Sequence, residues 1–153
     1  MEAENVKWQW DETKLNNTLT YKGFQFIYTY NEITYTGEIK QVDSSGNAIK
    51  VWKEREIYTD SAFLLIEDDK LYIGLFSGNS TGCKVIALDL VLGQIIWERQ
   101  LNGLGSVGHS RYNNRVQMQL TDEKLVVFGW ESGGKYIEIL DPENGDLVLN
   151  RKI

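Results

Sequence analysis

Few residues in this chain have the type and spacing to do chemistry. The first candidate is Gly103-Leu104-Gly105-Ser106-Val107-Gly108, which spells G-x-G-x-x-G and is followed by His109, Ser110 and Arg111. A dinucleotide site needs that glycine loop to open a helix whose N-terminus holds the pyrophosphate. The residues that follow, Tyr112-Asn113-Asn114-Arg115, carry no helical apolar stripe, and no βαβ unit is visible anywhere in the chain. The segment reads as a flexible loop. His109 is the only histidine, and a base of that kind needs a nucleophile and a third, orienting group on the same face. Adjacent residues of an extended chain point to opposite faces, so His109, Ser110 and Arg111 are not such a constellation. Long loops in compact domains tend to carry function, so His109, Arg111 and Tyr112 are read as binding residues rather than catalytic ones.

The other candidates are carboxylates and tryptophans. One His and one Cys cannot build a structural zinc site, and Cys83 alone excludes an intramolecular disulfide. Asp141, Asn144 and Asp146 superficially suggest calcium, yet the alternating ligands and distal Glu of an EF-hand loop are missing, and an Asx-type turn explains them more simply. No metal and no cofactor is expected. Glu67-Asp68-Asp69 and Asp122-Glu123 each precede a Lys-Leu start of an apolar run, which favours a hairpin role over paired-carboxylate catalysis. Glu67, Asp68 and Asp69 remain candidates for an acidic docking surface. Of the five tryptophans, Trp130 ends an apolar run and is the best candidate for a surface aromatic.

What must position these residues is a set of strands. The chain has 153 residues, 42% of them apolar and 12% aromatic, with a single proline, which fits one folded domain with a real core. Twelve short runs rich in Val, Ile, Tyr, Phe and Trp fall into three groups of four, approximately residues 18–58, 62–101 and 115–153. Ahead of them, Val6-Lys7-Trp8-Gln9-Trp10 alternates as a half-buried strand does. The runs Leu71–Phe76 and Leu125–Phe128 are apolar at every position, as strands stacked between two other layers must be.

A repeat runs through these groups. Ala87-Leu88-Asp89-Leu90-Val91-Leu92-Gly93-Gln94-Ile95-Ile96-Trp97 is echoed by Ile139–Leu149, with Asp141 and Gly145, and by Gln41–Trp52, with Asp43 and Gly46. The Asp residues are 46 and 52 positions apart, about the size of one four-stranded propeller blade. The pattern Ala87-x-Asp89-x-x-x-Gly93-x-x-x-Trp97, preceded by Lys70-Leu71-Tyr72-Ile73-Gly74, resembles the repeat of quinoprotein-type (pyrroloquinoline-quinone-like) β-propellers. The resemblance covers about residues 18–153. It implies that the Gly closes a hairpin and that the Trp packs between neighbouring blades, so Trp52 and Trp97 are expected at inter-blade contacts. The third unit departs by carrying Leu149 at the Trp position, and the first by its shorter turn. The enzymes that give the repeat its name have eight blades and a set of calcium and quinone ligands, none of which can be placed here. No quinone is expected.

The sequence therefore predicts an all-β protein of about three antiparallel four-stranded propeller-like blades, forming an open stack or half of a homodimeric ring. Closed propellers have four to eight blades, so three predict self-association or a tight partner. The formal charge is −6, with Lys and Arg scattered, which excludes the basic face of a nucleic-acid binder. No signal-peptide pattern and no apolar run long enough to span a bilayer is seen, which points to a cytoplasmic protein with no membrane partner. The reading is a non-enzymatic protein–protein binding module whose acidic surface suits a basic partner, one concrete form being an immunity-type inhibitor of a basic toxin. The competing reading is a small-ligand or carbohydrate-binding module using Trp130 and the Asn102–Arg115 loop.

Overall fold

A computed structural model describes residues 17–31, 33–34, 36–55, 62–76, 83–101, 115–131 and 134–152. They form twelve strands: β1 (Thr18–Tyr21), β2 (Phe24–Asn31), β3 (Thr36–Val42), β4 (Ala48–Arg55), β5 (Ala62–Glu67), β6 (Lys70–Phe76), β7 (Cys83–Asp89), β8 (Gln94–Gln100), β9 (Arg115–Thr121), β10 (Lys124–Glu131), β11 (Gly134–Leu140) and β12 (Leu147–Lys152). Each consecutive group of four is one antiparallel meander: β1–β4, β5–β8 and β9–β12. The fold is all-β and propeller-like, as the runs of β-branched and aromatic residues require. The alternating segment Val6–Trp10 lies outside the described residues. Among the described residues no helix is long and apolar enough to cross a membrane.

The three sheets are built to one plan. The first hairpin of each closes through a two-residue turn with positive φ: Lys22-Gly23 (50° and 82°), Asp68-Asp69 (52° and 60°) and Asp122-Glu123 (50° and 61°). Paired positive φ matches the right-handed twist of the flanking strands. The last hairpin of each closes on the repeated Asp. Its Oδ1 accepts turn amides, from Ser45 and Asn47 on Asp43, from Val91 and Leu92 on Asp89, and from Glu143 on Asp141. The amides of Gly46, Gly93 and Gly145 donate to the carbonyls of those same Asp residues, at 3.0, 2.8 and 2.8 Å. One rung before each turn lies a β-bulge, at Gln41/Val42, Ala87/Leu88 and Ile139/Leu140. Ile49, Ile96 and Val148 are the residues skipped by the ladder there, and all three are exposed large apolar side chains.

Side-chain alternation then sorts the faces. Phe26, Tyr28 and Ile39 of the first sheet pack on Leu64, Leu71, Ile73 and Leu88 of the second. The opposite face of the second sheet, with Phe63, Tyr72, Val85 and Trp97, packs on Val116, Met118, Leu125 and Val127 of the third. Val126, Phe128, Ile137 and Ile139 line the far face of the third sheet and are also buried, with Leu149 packed beside them. Both faces of β6 and β10 are therefore apolar and buried. The outward face of the first sheet is different: Thr18, Thr20, Gln25 and Thr29 are exposed, and Glu38 and Lys40 pair across it at 3.6 Å. That face is a largely polar cap on one end of the stack, with Ile27, Val42 and Val51 set among its threonines and charges.

Trp52 and Trp97 stand at the contacts between sheets, where the repeat implies they should. Trp97 is buried, and its Nε1–H donates to the Pro142 carbonyl at 2.8 Å, in the β11–β12 turn of the third sheet. Trp52 makes the same move more loosely, its Nε1 lying 3.5 Å from the Gly93 carbonyl in the β7–β8 turn. The register explains the difference. Trp97 and Leu149 each sit opposite the residue two before the turn Asp (Ala87 and Ile139), whereas Trp52 sits opposite Ile39, four before Asp43. In the third sheet Leu149 occupies the Trp position and faces the far side, where no further described turn offers an acceptor.

Gly145 is the tightest point of this contact. Its φ is +78°, and a Cβ there would lie 2.5 Å from Trp97 Cε3. Gly46 has a similar φ of +86° with nothing within 4 Å. Gly46→Ala should cost only the left-handed backbone penalty, about 1–2 kcal/mol. Gly145→Ala adds a steric clash against a packed indole and should cost about 3 kcal/mol or more. Urea denaturation of both variants checks this; equal losses would mean the indole is not seated as described.

Candidate functional site

The turns of the second and third sheets emerge at the same end of the stack and enclose a cleft of about 420 Å3. One lip is the β5–β6 turn with Glu67 and Asp68; the other carries Glu123 from the β9–β10 turn and Asp141 and Glu143 from the β11–β12 turn. Lys70 and Lys124, the first residues of β6 and β10, are the cations of the lining, so five carboxylates face two ammonium groups. Leu120, Pro142 and Tyr72 supply the apolar part of the wall.

The geometry follows from local rules. Positive φ in the two hairpin turns swings their carboxylates to the end of the sheet rather than onto a face. The turn holding Asp141 and Glu143 is drawn toward the second sheet because Trp97 grips the Pro142 carbonyl and packs on Gly145, with Arg99 Nη1 reaching the Gly145 carbonyl at 3.4 Å. Tyr72 stands beside Trp97, ring centroids 6.3 Å apart and tilted by 45°. Tyr72 is 3% exposed, and its hydroxyl is open to the cleft rather than sealed in the core. Burial first, and then the negative field of Glu67, Asp68, Glu143 and Asp141, push its pKa up to about 12. The hydroxyl is therefore a neutral group lodged among carboxylates at the base of the cleft.

Of the residues singled out from the sequence, Glu67 and Asp68 lie in this cleft. Asp69, their neighbour, serves the other side of the second sheet. Its Oδ1 accepts from Tyr21 Oη at 3.0 Å and from Lys22 Nζ at 2.8 Å, and its own amide donates to Tyr21 Oη at 3.0 Å. The Lys22 bond first, then that from Tyr21, hold the Asp69 carboxyl below its ordinary pKa. Asp69 is thus a clasp between the first and second sheets. Trp130 is in β10 opposite Arg115 and Lys135. His109, Arg111, Tyr112 and the G-x-G-x-x-G segment lie outside the described residues.

Sequence reasoning missed Tyr72, Glu123, Asp141 and Glu143 as members of one site. Asp122-Glu123 and Asp141 were legible only as turn residues, which they also are. The recurrence of an acidic pair at the same hairpin in neighbouring units was the available signal.

Each repeated Asp spends Oδ1 on its own turn, and among the described residues no group of three His, Cys, Asp or Glu converges to hold a metal ion. A second crevice, between the first two sheets, is lined by Tyr28, Trp52, Ile73 and Ile95 and has room for only about 30 Å3, one water's worth of space and far too little for a sugar.

No protein-family model matches the chain, and no curated protein matches it. Among solved structures it is similar to a bifunctional GH43-CE protein of Bacteroides eggerthii, at 16% identity and a TM-score of 0.49, over 89% of this chain and 19% of that one. It also aligns with the C-terminal domain of Bacillus megaterium YpeB, at 9% identity and a TM-score of 0.20, over 85% of this chain and 83% of that one. The chain thus spans about a fifth of the first protein's length (19%), and likenesses at this level carry no functional argument.

Tyr72 gives the site a pH signature. A phenol whose folded pKa is raised from 10.0 to about 12 contributes stability that is complete below pH 10 and is lost as pH rises through 12. Wild type should therefore lose more stability than Tyr72→Phe between pH 9 and about pH 11.5, measured by urea unfolding. Parallel losses would show that the hydroxyl is freely solvated.

Proposed function

We propose that this chain is a non-enzymatic protein-binding module that presents the acidic cleft between its second and third sheets to a basic protein. The observation that carries the reading is the convergence of Glu67, Asp68, Glu123, Asp141 and Glu143 from three separate turns onto one opening. Focused charge of one sign in a cleft raises association rates with an oppositely charged partner. The placement of Glu123 supports it further. The equivalent position in the first sheet is Gly23, the residue that adopts positive φ freely, whereas Glu123 holds φ at +61°. A charge is kept at the cleft mouth where glycine would be less strained.

Binding rather than catalysis fits the exposure of the carboxylates. Glu67, Asp68, Glu123 and Glu143 are exposed, not enclosed in the dry pocket that tunes a catalytic acid–base pair. The Asp-Gly-Trp spacing resembles that of quinoprotein-type repeats, and the reading invokes no quinone. A cytoplasmic location, and an immunity-type role of masking a basic protein, follow as the most concrete form of this reading.

Recovery of partner from native lysate tests it. Glu67→Lys/Asp68→Lys/Glu143→Lys should abolish capture of a basic protein that wild type retains at low salt and loses at high salt. Asp69 is left intact, because it bonds Tyr21 and Lys22 of the first sheet and does not line the cleft. Undiminished capture by the triple variant, with folding checked by tryptophan fluorescence, would overturn the reading.

A further inference from the structure

The acidic cleft holds one feature that charge alone does not explain. Tyr72 is 3% exposed and lines the cleft, and its hydroxyl, engaged in none of the described side-chain hydrogen bonds, opens to the cleft rather than being sealed in the core. A hydroxyl kept neutral at the base of a negative cleft is a fixed acceptor for a donor that arrives from outside.

We propose that the cleft is a socket for an arginine side chain of the partner, whose guanidinium enters between Glu67 and Asp68 on one lip and Asp141 and Glu143 on the other and donates to Tyr72 Oη. This rests on the reading that the cleft binds a basic protein, and names the side chain that does so. Three properties select arginine. Its planar head carries five N–H donors, enough to reach both lips and the hydroxyl together, where an ammonium is a compact point charge with three. It is also more weakly hydrated and stacks on flat apolar surface, which Pro142, Leu120 and the edge of Tyr72 provide. Finally, about 420 Å3 accommodates a whole extended side chain rather than a bare ion. A divalent metal is disfavoured: Asp141 Oδ1 is engaged by the Glu143 amide, and no three described ligands converge.

The probes are hexaarginine and hexalysine peptides of equal charge, titrated by calorimetry into wild type, Tyr72→Phe and Glu67→Gln/Asp68→Asn at moderate salt. Hexaarginine should bind about tenfold more tightly than hexalysine, in keeping with the extra strength of charge-assisted, multidentate hydrogen bonds. Tyr72→Phe should weaken hexaarginine severalfold and leave hexalysine unchanged, whereas Glu67→Gln/Asp68→Asn should weaken both. Equal affinity for the two peptides, with no effect of Tyr72→Phe, would overturn the arginine socket while leaving an acidic docking surface in place. Binding of neither peptide would overturn the docking surface as well. Should Tyr72→Phe not fold, the wild-type comparison decides alone: a tenfold preference for hexaarginine upholds the socket, and equal affinity overturns it.

Discussion

The contact between Trp97 and the β11–β12 turn is the constraint on which the rest of the structure depends. Sheets stacked face to face are held mainly by apolar area, which is non-directional and does not by itself fix how one sheet sits on the next. The indole supplies direction. Its N–H is bound to the Pro142 carbonyl at 2.8 Å, and its ring occupies the space that any side chain at position 145 would need. The third sheet is thereby locked against the second at the end where the hairpin turns emerge. On the other side of the second sheet the equivalent lock is weaker, with Trp52 at 3.5 Å from its acceptor, and is supplemented by the Asp69 clasp on Tyr21 and Lys22.

The candidate site is a by-product of that lock. Asp141 and Glu143 belong to the very turn that Trp97 grips, and Tyr72 packs beside the same indole. Remove the grip and the carboxylates of the two lips are merely members of neighbouring loops. A repeat whose Asp, Gly and Trp exist to build a stack thus also determines how far apart two rows of negative charge are held.

Much of the fold was legible in the sequence because its signals are local. The runs Thr18–Tyr21, Lys70–Phe76 and Lys124–Trp130 read as strands from β-branched and aromatic content, and Asp89 with Gly93 read as a hairpin from turn chemistry alone. The continuous apolar stretch Leu71–Phe76 already implied burial on both faces. The site was less legible because it is assembled across sequence distance: Tyr72 looks like any core aromatic until the turn at Asp141–Glu143 is brought over it. Asp69 shows the converse. It reads as one of three equivalent acidic residues, yet alternation around a tight turn sends it to Lys22 while Glu67 and Asp68 line the cleft. Nor does a count of three blades foretell that the outward face of the first sheet is largely polar, with Thr18, Thr20, Gln25 and Thr29 exposed.

The most direct measurement is the affinity of Trp97→Phe for hexaarginine, made at a temperature where the variant is folded. Every carboxylate and Tyr72 are retained in that protein, and only the indole grip on Pro142 is lost. If the lock sets the geometry of the cleft, affinity should fall about tenfold, the scale of one lost charge-assisted contact. Undiminished affinity would contradict the account, showing that summed surface charge binds the peptide and that the alignment of the two lips is immaterial.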